Sequence, residues 1–532
     1  MKSVMRHQFS QVPKAEIQRS SFDRSHGLKT TLDAGFLVPV FVDEALPGDT
    51  FNLRMTTFAR FSTPLHPIMD NVFCDVFFFA VPYRLVWTNF PKFFGEQDNP
   101  GDSVSYLVPQ TVSNTAVGGS WSNGSLFDYM GLPTQVAGIA ANSLHLRAYN
   151  LIWNTWFRDQ NLQNSAPFQK DDGPDLGTQY ALLRRGKRHD YFTSALPWPQ
   201  KGPAVSIPIG TTAAVKSNDL DVTVRTRTSL PTTDRNWSVD NNATYPSLMR
   251  ATGPTQPSST EALHFGSQSG LYADLSTATA ATINQLRQAF QIQRIYERDA
   301  RGGTRYTELI QSHFGVTSPD ARLQRPEYLG GGSTPINFNP VAQTSATGTT
   351  GATTPQGNLS AIGTMSHSGV GFSKSFTEHC VLLGMVSIRA DLNYQQGLNR
   401  MWSRQTRFDF FWPALAHIGE QSILNQELMA QGTAADTVTW GYQERFAEYR
   451  YKPSIVTGQF RSNYAQTLDS WHLSQNFATL PTLGATFIQD NPPIARVVAV
   501  PSQPTMLLDC HFSLNCARPM PVYGVPGMID HF

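Results

Sequence analysis

Hydrophobic and polar residues alternate along a segment near the N-terminus. Between residues 51 and 61, mostly apolar side chains occupy the odd positions and mostly polar ones the even positions. A period of two places one face of a β-strand in a core. Apolar runs flank this segment at 36–42 and 72–81, and the turn-rich pieces LPGD and STPLHP separate them. The pattern predicts three consecutive strands.

The same alternation returns near the C-terminus. Small or apolar residues occupy the even positions of 382–392, and apolar residues occupy those of 506–516, opposite polar residues from Asp509 to Asn515. Strands at both ends must then pair across the long middle of the chain, as in a Greek-key or jelly-roll sandwich with expanded loops. The predicted fold is mainly β: an eight-stranded jelly-roll sandwich whose long loop insertions contain several helices.

Helical periodicity is confined to the middle of the chain. Apolar residues three or four positions apart share one face in 144–156 and again in 283–290. A third helix is predicted over about 304–314, ended by Gly315.

Two further stretches of the middle are polar. Residues 203–280 are rich in Thr, Ser, Asn and Pro, with DLDVTVRTRT as their clearest strand, and are predicted to be an exposed insert. Residues 330–371 hold almost no long apolar side chains and are predicted to lie as a loop across neighbouring surface.

These patterns divide the chain into three segments. Segment 1–202 holds the N-terminal arm, the first jelly-roll strands and a helical insertion. Segment 203–280 is a surface protrusion. Segment 281–532 holds a helical insertion, the long polar loop, the remaining jelly-roll strands and the C-terminal tail.

Composition favours one large β domain with long insertions over several average domains. Only 15% of the 532 residues are charged, whereas Gly, Pro and Phe number 39, 35 and 33. The formal net charge of +1 argues against a nucleic-acid-binding enzyme with a uniformly basic face. The sequence has no run of about eighteen apolar residues and no apolar signal segment near its start, so assembly is expected in the cytoplasm.

The four cysteines are too scattered for a disulfide framework and are expected to be buried, inert thiols. They are Cys74, Cys380, Cys510 and Cys516. Alternation along the last strand places His511 on the face opposite Cys510 and Cys516, so these three side chains cannot converge on a zinc ion.

The sequence lacks the motifs of several common enzyme classes. It contains no phosphate-binding loop, dinucleotide fingerprint, nucleophile elbow or zinc-protease motif. Neighbouring acids such as Asp171 and Asp172 are typical of solvated turns rather than of a glycosidase pair. The sequence therefore predicts no enzyme, no catalytic residue, no cofactor and no metal site.

The N-terminus is predicted to be a basic arm. Up to residue 29 the chain carries six Lys and Arg residues against two acidic ones. Such an arm can neutralise nucleic-acid phosphates without reading sequence, and a solvated or neighbour-bound terminus is the alternative. The candidates for contact with DNA are Lys2, Arg6, Lys14, Arg19 and Arg24.

A second basic cluster lies within LLRRGKRHDYFTSALPWPQKG, residues 182–202, which we call the basic segment. Its two prolines hold Trp198 in an extended conformation that suits a rigid contact surface. Ion pairs across a subunit interface are the favoured role of its cations, with DNA contact as the alternative. The interface candidates here are Arg184, Arg185, Lys187, Arg188 and Trp198.

The C-terminal segment 518–532 contains three prolines, which exclude a helix, yet it is too apolar for a free tail. Because the preceding strand completes the sandwich, this tail is predicted to pack on a neighbouring subunit. Tyr523 and Phe532 are its candidate anchors.

Three blocks of the sequence carry a family resemblance. They are the basic segment, HGLKTTLDAGFLVPVFVDEALPGDTF at 26–51 and YQERFAEYRYKPSIVTGQFRS at 442–462. Together they resemble the major capsid protein of gokushoviruses, small icosahedral single-stranded DNA bacteriophages of the microvirus group. The blocks lie near the start, middle and end of the chain, so the resemblance spans it apart from the insert.

The resemblance implies a structural function. It implies a single-layer T=1 shell of sixty copies around a circular single-stranded DNA genome, assembled in the bacterial cytoplasm. It also implies that the insert 203–280 forms a protrusion at each three-fold axis for attachment to a host receptor, for which Trp237 is the first candidate contact. The implied partners are phage scaffolding, DNA-binding and pilot proteins.

A β-sandwich protein that binds or cleaves carbohydrate is the alternative from another functional class. It predicts a monomer with a ligand cleft, whereas a capsid protein predicts particles.

Overall fold

The computed structural model describes most of the chain. The described residues are 18–113, 121–203, 205, 214–217, 223–226, 235–242, 245–251, 263–265, 271–274, 283–302, 306–315, 324–347 and 355–523. The chain divides into two compact units, a larger one of Met1–Pro199 and Thr304–Phe532 and a smaller one of Gln200–Gly303.

The larger unit contains most of the strands and all but one of the described helices. Its strands are β1 (Ser20–Asp23), β2 (His26–Leu32), β3 (Val38–Ala45), β4 (Thr50–Phe61), β5 (Val72–Pro82), β6 (Gln110–Val112), β7 (Ala140–Asn142), β14 (Glu327–Pro335), β15 (Asn337–Ala342), β16 (Leu359–Ser375), β17 (Cys380–Ala390), β18 (Glu420–Leu424), β19 (Thr439–Glu444) and β20 (Met506–Arg518). Its helices are α1 (Tyr83–Val86), α2 (Phe90–Phe93), α3 (Leu126–Tyr129), α4 (Leu144–Ile152), α6 (Tyr306–Phe314), α7 (Asn425–Leu428) and α8 (Ala485–Ile488).

The smaller unit combines short antiparallel strands with one long helix. Its strands are β8 (Ala214–Ser217), β9 (Thr223–Thr226), β10 (Arg235–Asn242), β11 (Tyr245–Ala251), β12 (Leu263–Phe265) and β13 (Leu271–Asp274), and its helix is α5 (Ile283–Arg301). Strands β11, β10, β9 and β12 form one sheet in that order, and β13 pairs with β8. The predicted insert 203–280 lies inside this unit, and its role as a protrusion stays a prediction.

Two antiparallel sheets form the sandwich of the larger unit. In one, β20 lies between β2 and β4, and β16 and β15 follow β4; in the other the order is β14, β5, β17, β3. Strands β2 to β5 alternate between the two sheets in chain order, and the last strand, β20, pairs with the early strands β2 and β4. Such an antiparallel two-sheet sandwich is consistent with the predicted jelly roll, whose eight-stranded form stays a prediction. The predicted mainly β fold is confirmed.

The core between the sheets follows from the alternation. On β20 every even residue from Met506 to Cys516 is buried, whereas most of the odd residues are exposed. Aromatic rings meet across the interior: Phe41 of one sheet lies 5.4 Å from Phe512 of the other, between ring centroids. Burying such side chains is the main stabilising contribution to the sandwich.

Strand β17 is buried on both faces. Its even residues face the sandwich core, while Val381, Leu383 and Met385 pack in a second apolar cluster with Tyr149 and other residues of α4. A central strand covered on both sides has no polar face. The alternating pattern predicted only one buried face here, because a covering helix leaves no mark on the strand's own sequence.

The helix predictions are confirmed. Helix α4 begins at Leu144 and continues as a π-helical turn over Trp153–Phe157. Helix α5 covers the predicted apolar face of 283–290, and α6 is followed by Gly315 at a φ of +69°. A left-handed φ favours glycine and ends a helix.

The prediction of a loop over residues 330–371 is wrong for most of that stretch. Strands β14, β15 and β16 occupy it. Strand β14 belongs to the sheet of β5, and β15 and β16 belong to the sheet of β4. Glycines make this pairing close: a Cβ on Gly331 would lie 2.1 Å from the Val76 carbonyl oxygen, and one on Gly371 would lie 1.9 Å from that of Leu53. Ile336, Met365 and Val370 of this stretch join the core, but glycine and other small or polar residues fill most of its remaining positions, so its sequence shows no clear apolar alternation.

All four cysteines are free and buried, as predicted. Burial raises the pKa of the Cys74, Cys380 and Cys510 thiols to about 12, which keeps them protonated. His511 is exposed on the opposite face of β20. Across the described residues, no group of His, Cys, Asp and Glu is arranged to hold a metal ion, and no helix is long and apolar enough to cross a membrane.

Candidate assembly surfaces

Backbone hydrogen bonds fix the basic segment between two other parts of the larger unit. Arg185 N donates to the Gly35 carbonyl oxygen at 2.9 Å, and Lys187 N donates to that of Ile488 at 2.8 Å. Further along, Leu196 and Tyr442 exchange two hydrogen bonds of 2.8 Å. The three blocks that carry the family resemblance are therefore neighbours in the fold.

The cations of this segment contact their own subunit. Arg185 Nη1 lies 2.6 Å from Asp75 Oδ2, which also accepts from Arg389 Nε at 2.8 Å. Arg184 Nη1 donates to the carbonyl oxygens of Ala34 and Asp490, both at 3.1 Å. These bonds connect β5, β17 and the segment before β20.

Aromatic rings complete the surroundings of these cations. The Arg184 guanidinium lies 3.9 Å from the Phe36 ring centroid, and Lys187 Nζ lies 4.3 Å from that of Phe487. Arg188 is more loosely placed, 5.9 Å from the Phe73 centroid. These ring contacts, like the hydrogen bonds, lie within the subunit.

Burial perturbs the charges at the centre of this cluster. Burial lowers the pKa of Lys187 to about 8 and raises the pKa of Asp490 to about 6, against the attraction of Arg185 and the other nearby cations. The structure thus gives Arg184, Arg185 and Lys187 a role inside the subunit. Their predicted role between subunits stays a prediction, as does that of the half-buried Trp198.

The predicted DNA-contacting arm is described only in part. Lys2, Arg6 and Lys14 lie outside the described residues. Arg19 Nη2 donates to Thr50 Oγ1 at 2.8 Å, and Arg24 forms two hydrogen bonds with Asp43, at 2.7 and 3.0 Å. Arg24 therefore anchors the start of the chain to β3, and a DNA contact by these residues stays a prediction.

The remaining candidate residues lie in the insert and in the C-terminal tail. Trp237 lies on β10, and its side chain is outside the described part. Tyr523 follows β20 with 80% of its surface exposed, which suits an anchor for another surface, and Phe532 is outside the described residues.

A group of exposed aromatic residues was missed by sequence reasoning. Residues 408–412 read FDFFW, and all four aromatic side chains are about half exposed, as is Tyr449 nearby. Aromatic side chains without helix or strand periodicity are the signal that could have found this surface. We call these five side chains, with Arg404, Arg407 and Arg445, the aromatic patch.

A cavity of about 270 Å³ lies near this patch, lined in part by Trp402, Tyr451 and Arg400. Two of its lining residues form an ion pair, with Arg400 Nη1 and Glu427 Oε1 3.0 Å apart, and Tyr191 Oη donates to Glu427 Oε2 at 2.9 Å. Burial raises the pKa of Glu427 despite Arg400. These charged and polar groups are therefore paired with one another inside the subunit.

Comparison with known proteins identifies the chain's family. The family of the capsid protein called F protein matches residues 10–528. The chain belongs to this capsid protein family. It is 49% identical over 536 residues to capsid protein VP1 of Bdellovibrio phage phiMH2K, covering 99% of this chain and 98% of that protein.

Two further relatives agree with this assignment. Capsid protein VP1 of Chlamydia phage 1 is 45% identical and covers 99% of this chain and 98% of its own length. That of Spiroplasma virus 4 is 36% identical and covers 98% and 97%. The family resemblance inferred from the three sequence blocks is confirmed. The protein is a structural capsid protein, a component of a virion and not an enzyme.

Proposed function

We propose that this protein closes into a T=1 icosahedral shell of sixty copies that encloses a circular single-stranded DNA genome. The observation that carries the proposal is near-full-length similarity to capsid proteins of small phages, at 49% identity over 99% of the chain. The antiparallel two-sheet sandwich supports it, because a rigid core of this kind can present several loop surfaces at once.

Closed symmetry requires more than one contact surface on each copy. Five-fold and three-fold contacts are heterologous and two-fold contacts are isologous, so distinct patches must fit each other. Each stable contact buries at least about 1,000 Å². The long connections β5 to β14 and β17 to β20 supply far more surface than an isolated sandwich, which supports their use between subunits.

The shell contributes little charge toward its cargo. At a formal +1 per copy, sixty copies carry on the order of sixty net charges, against thousands of phosphates in a genome. Counter-ions and a separate basic DNA-binding protein therefore carry most of the neutralisation. Scaffolding and pilot proteins complete the proposed partners, and the bacterial cytoplasm is the proposed site of assembly.

The insert 203–280 is proposed to form the host-attachment surface. It lies within the smaller unit, Gln200–Gly303, which holds no strand of the two-sheet sandwich, so its removal leaves the strands of the sandwich in place. The test replaces residues 203–280 by a short Gly-Ser linker and measures particle formation by electron microscopy and adsorption to host cells. The matched point variant is Trp237→Ala.

Particles that form but no longer adsorb support both parts of this proposal. Particles that adsorb as the wild type does would remove the attachment role from the insert, and a wild-type protein that forms no particle would contradict the shell itself. Negative-stain microscopy of the purified protein also separates the shell from the carbohydrate-binding alternative, which predicts a monomer. Nothing in the described part of the chain favours that alternative.

A further inference from the structure

The aromatic patch is one continuous surface. The Arg404 guanidinium lies 4.3 Å from the Tyr449 ring centroid and 5.4 Å from that of Phe410. The rings of Tyr449 and Phe411 lie 6.3 Å apart, centroid to centroid. Arg445 Nη2 donates to the Phe408 carbonyl oxygen at 2.8 Å. Residues from two separate stretches of the chain, 404–412 and 445–449, thus form a single patch.

Hydrogen bonds hold the patch in one shape although it contains little regular structure. Trp412 Nε1 donates to the Arg407 carbonyl oxygen at 2.8 Å. Thr406 N donates to Asp409 Oδ2 at 2.7 Å, and Arg404 pairs with Glu448 at 3.4 Å. A preorganised surface loses little conformational entropy when it binds, which favours affinity.

The exposed area of the patch is large for a monomer. Its five aromatic side chains, with Trp402 at 72% exposure beside the cavity, are all about half exposed or more. Because such side chains offer about 150–250 Å² each, they leave on the order of 600 Å² of ring surface in water. This approaches the roughly 800 Å² per partner of a standard protein interface. The largest apolar patch of an ordinary monomer rarely exceeds about 600 Å².

We propose that the aromatic patch is a contact surface for a second copy of this chain. The inference rests on the proposed shell, and it names which part of the subunit makes one of the contacts. Trp, Tyr, Phe and Arg are the residues that dominate interface energetics. The acidic side chains beside the patch are engaged within the subunit: Asp409 accepts a hydrogen bond from Thr406, and Glu448 pairs with Arg404. The neighbouring cavity can receive a side chain of the incoming copy.

Paired variants test the surface. The variant Phe408→Ser with Phe410→Ser removes two rings that are half exposed and therefore contribute little to the fold. The control, Leu107→Ser with Leu176→Ser, removes two apolar side chains that are more exposed but lie outside the patch. Particle yield is measured by sedimentation and electron microscopy, and folding by circular dichroism and thermal unfolding. We expect the patch variant to lose at least about tenfold in yield while remaining folded, and the control to assemble normally.

Wild-type yield from a folded patch variant would overturn the inference, and so would an equal loss in the control. Hydrogen exchange of the wild-type protein gives a second test that does not depend on any variant. The amides of 401–412 should exchange at least about tenfold more slowly in particles than in dissociated subunits, and unchanged exchange would contradict the contact. Wild-type protein that never forms particles contradicts the proposed shell instead, so the two failures are distinguishable.

Discussion

Arg185 of the basic segment and Asp75 of β5 form an ion pair, with Nη1 and Oδ2 2.6 Å apart and both side chains almost buried. The pair attaches a segment that is distant in sequence to an inner strand of one sheet of the sandwich. It also shows that a cluster of cations with the composition of a binding surface can have its partners within the subunit.

The first prediction concerns this pair. Arg185→Ala should lower the free energy of unfolding by about 2 kcal/mol, because Asp75 loses one of two charged donors in a buried site. Arg188→Ala is the control, since Arg188 belongs to the same cluster of cations but its guanidinium lies 5.9 Å from the Phe73 ring centroid. Chemical denaturation of both variants measures the difference. Equal stability of Arg185→Ala and the wild type would show that the pair contributes nothing to the fold.

The second prediction concerns the close approach of β14 to β5. A Cβ added at Gly331 would meet the Val76 carbonyl oxygen at 2.1 Å, so Gly331→Ala should destabilise the sandwich by about 3 kcal/mol or more. Gly484→Ala is the matched control, because nothing lies within 4 Å of the corresponding Cβ. Thermal unfolding compares the two. A Gly331→Ala protein as stable as the control would mean that the two strands separate at no cost.

The third prediction is a pH dependence. Burial raises the pKa of Asp490 to about 6 from the ordinary aspartate value of 3.8. An acid with a higher pKa in the folded state than in the unfolded state binds its proton more tightly when folded. Below about pH 4 it is protonated in both states, and between about pH 4 and pH 6 it is ionised only in the unfolded chain. Its contribution to stability therefore falls as pH rises through that window.

Asp490→Asn should remove this part of the slope. Urea unfolding at pH 4, 5, 6 and 7 measures it, with the exposed Asp509→Asn as the control. Relative to wild type, Asp490→Asn should gain stability as pH rises from 4 to 6, whereas Asp509→Asn should follow the wild-type curve. A wild-type slope that persists in Asp490→Asn would assign it to other groups.

The fourth prediction concerns the C-terminal tail. Truncation after Arg518 keeps β20 complete and removes the exposed Tyr523 with the rest of the tail. The shortened protein should fold but assemble poorly, because its anchors for a neighbouring subunit are gone. Solubility, thermal unfolding and particle yield are measured together. Full particle yield would refute the anchoring role, and insoluble protein would place the tail in the subunit's own core.

Strands β4 and β20 could be predicted because their information is local. One face of each lies in the core and the other in water, so burial repeats every second residue and the sequence must alternate. Helix α6 and its end at Gly315 could be predicted because helical periodicity and a terminal glycine are also local signals. The three family blocks likewise identified the capsid family, since each is a contiguous run of residues.

Only the tertiary structure decided which partners those residues have. The stretch 330–371 forms strands because its backbone pairs with β5 and β4. The local sequence of this polar stretch does not show that these partner strands will lie beside it. Arg185 is an internal residue because the fold brings Asp75 and Arg389 to it. The aromatic patch exists because 404–412 and 445–449 meet in space. Local periodicity records what each residue faces, in core or in water, whereas the identity of a distant contact depends on the whole chain at once.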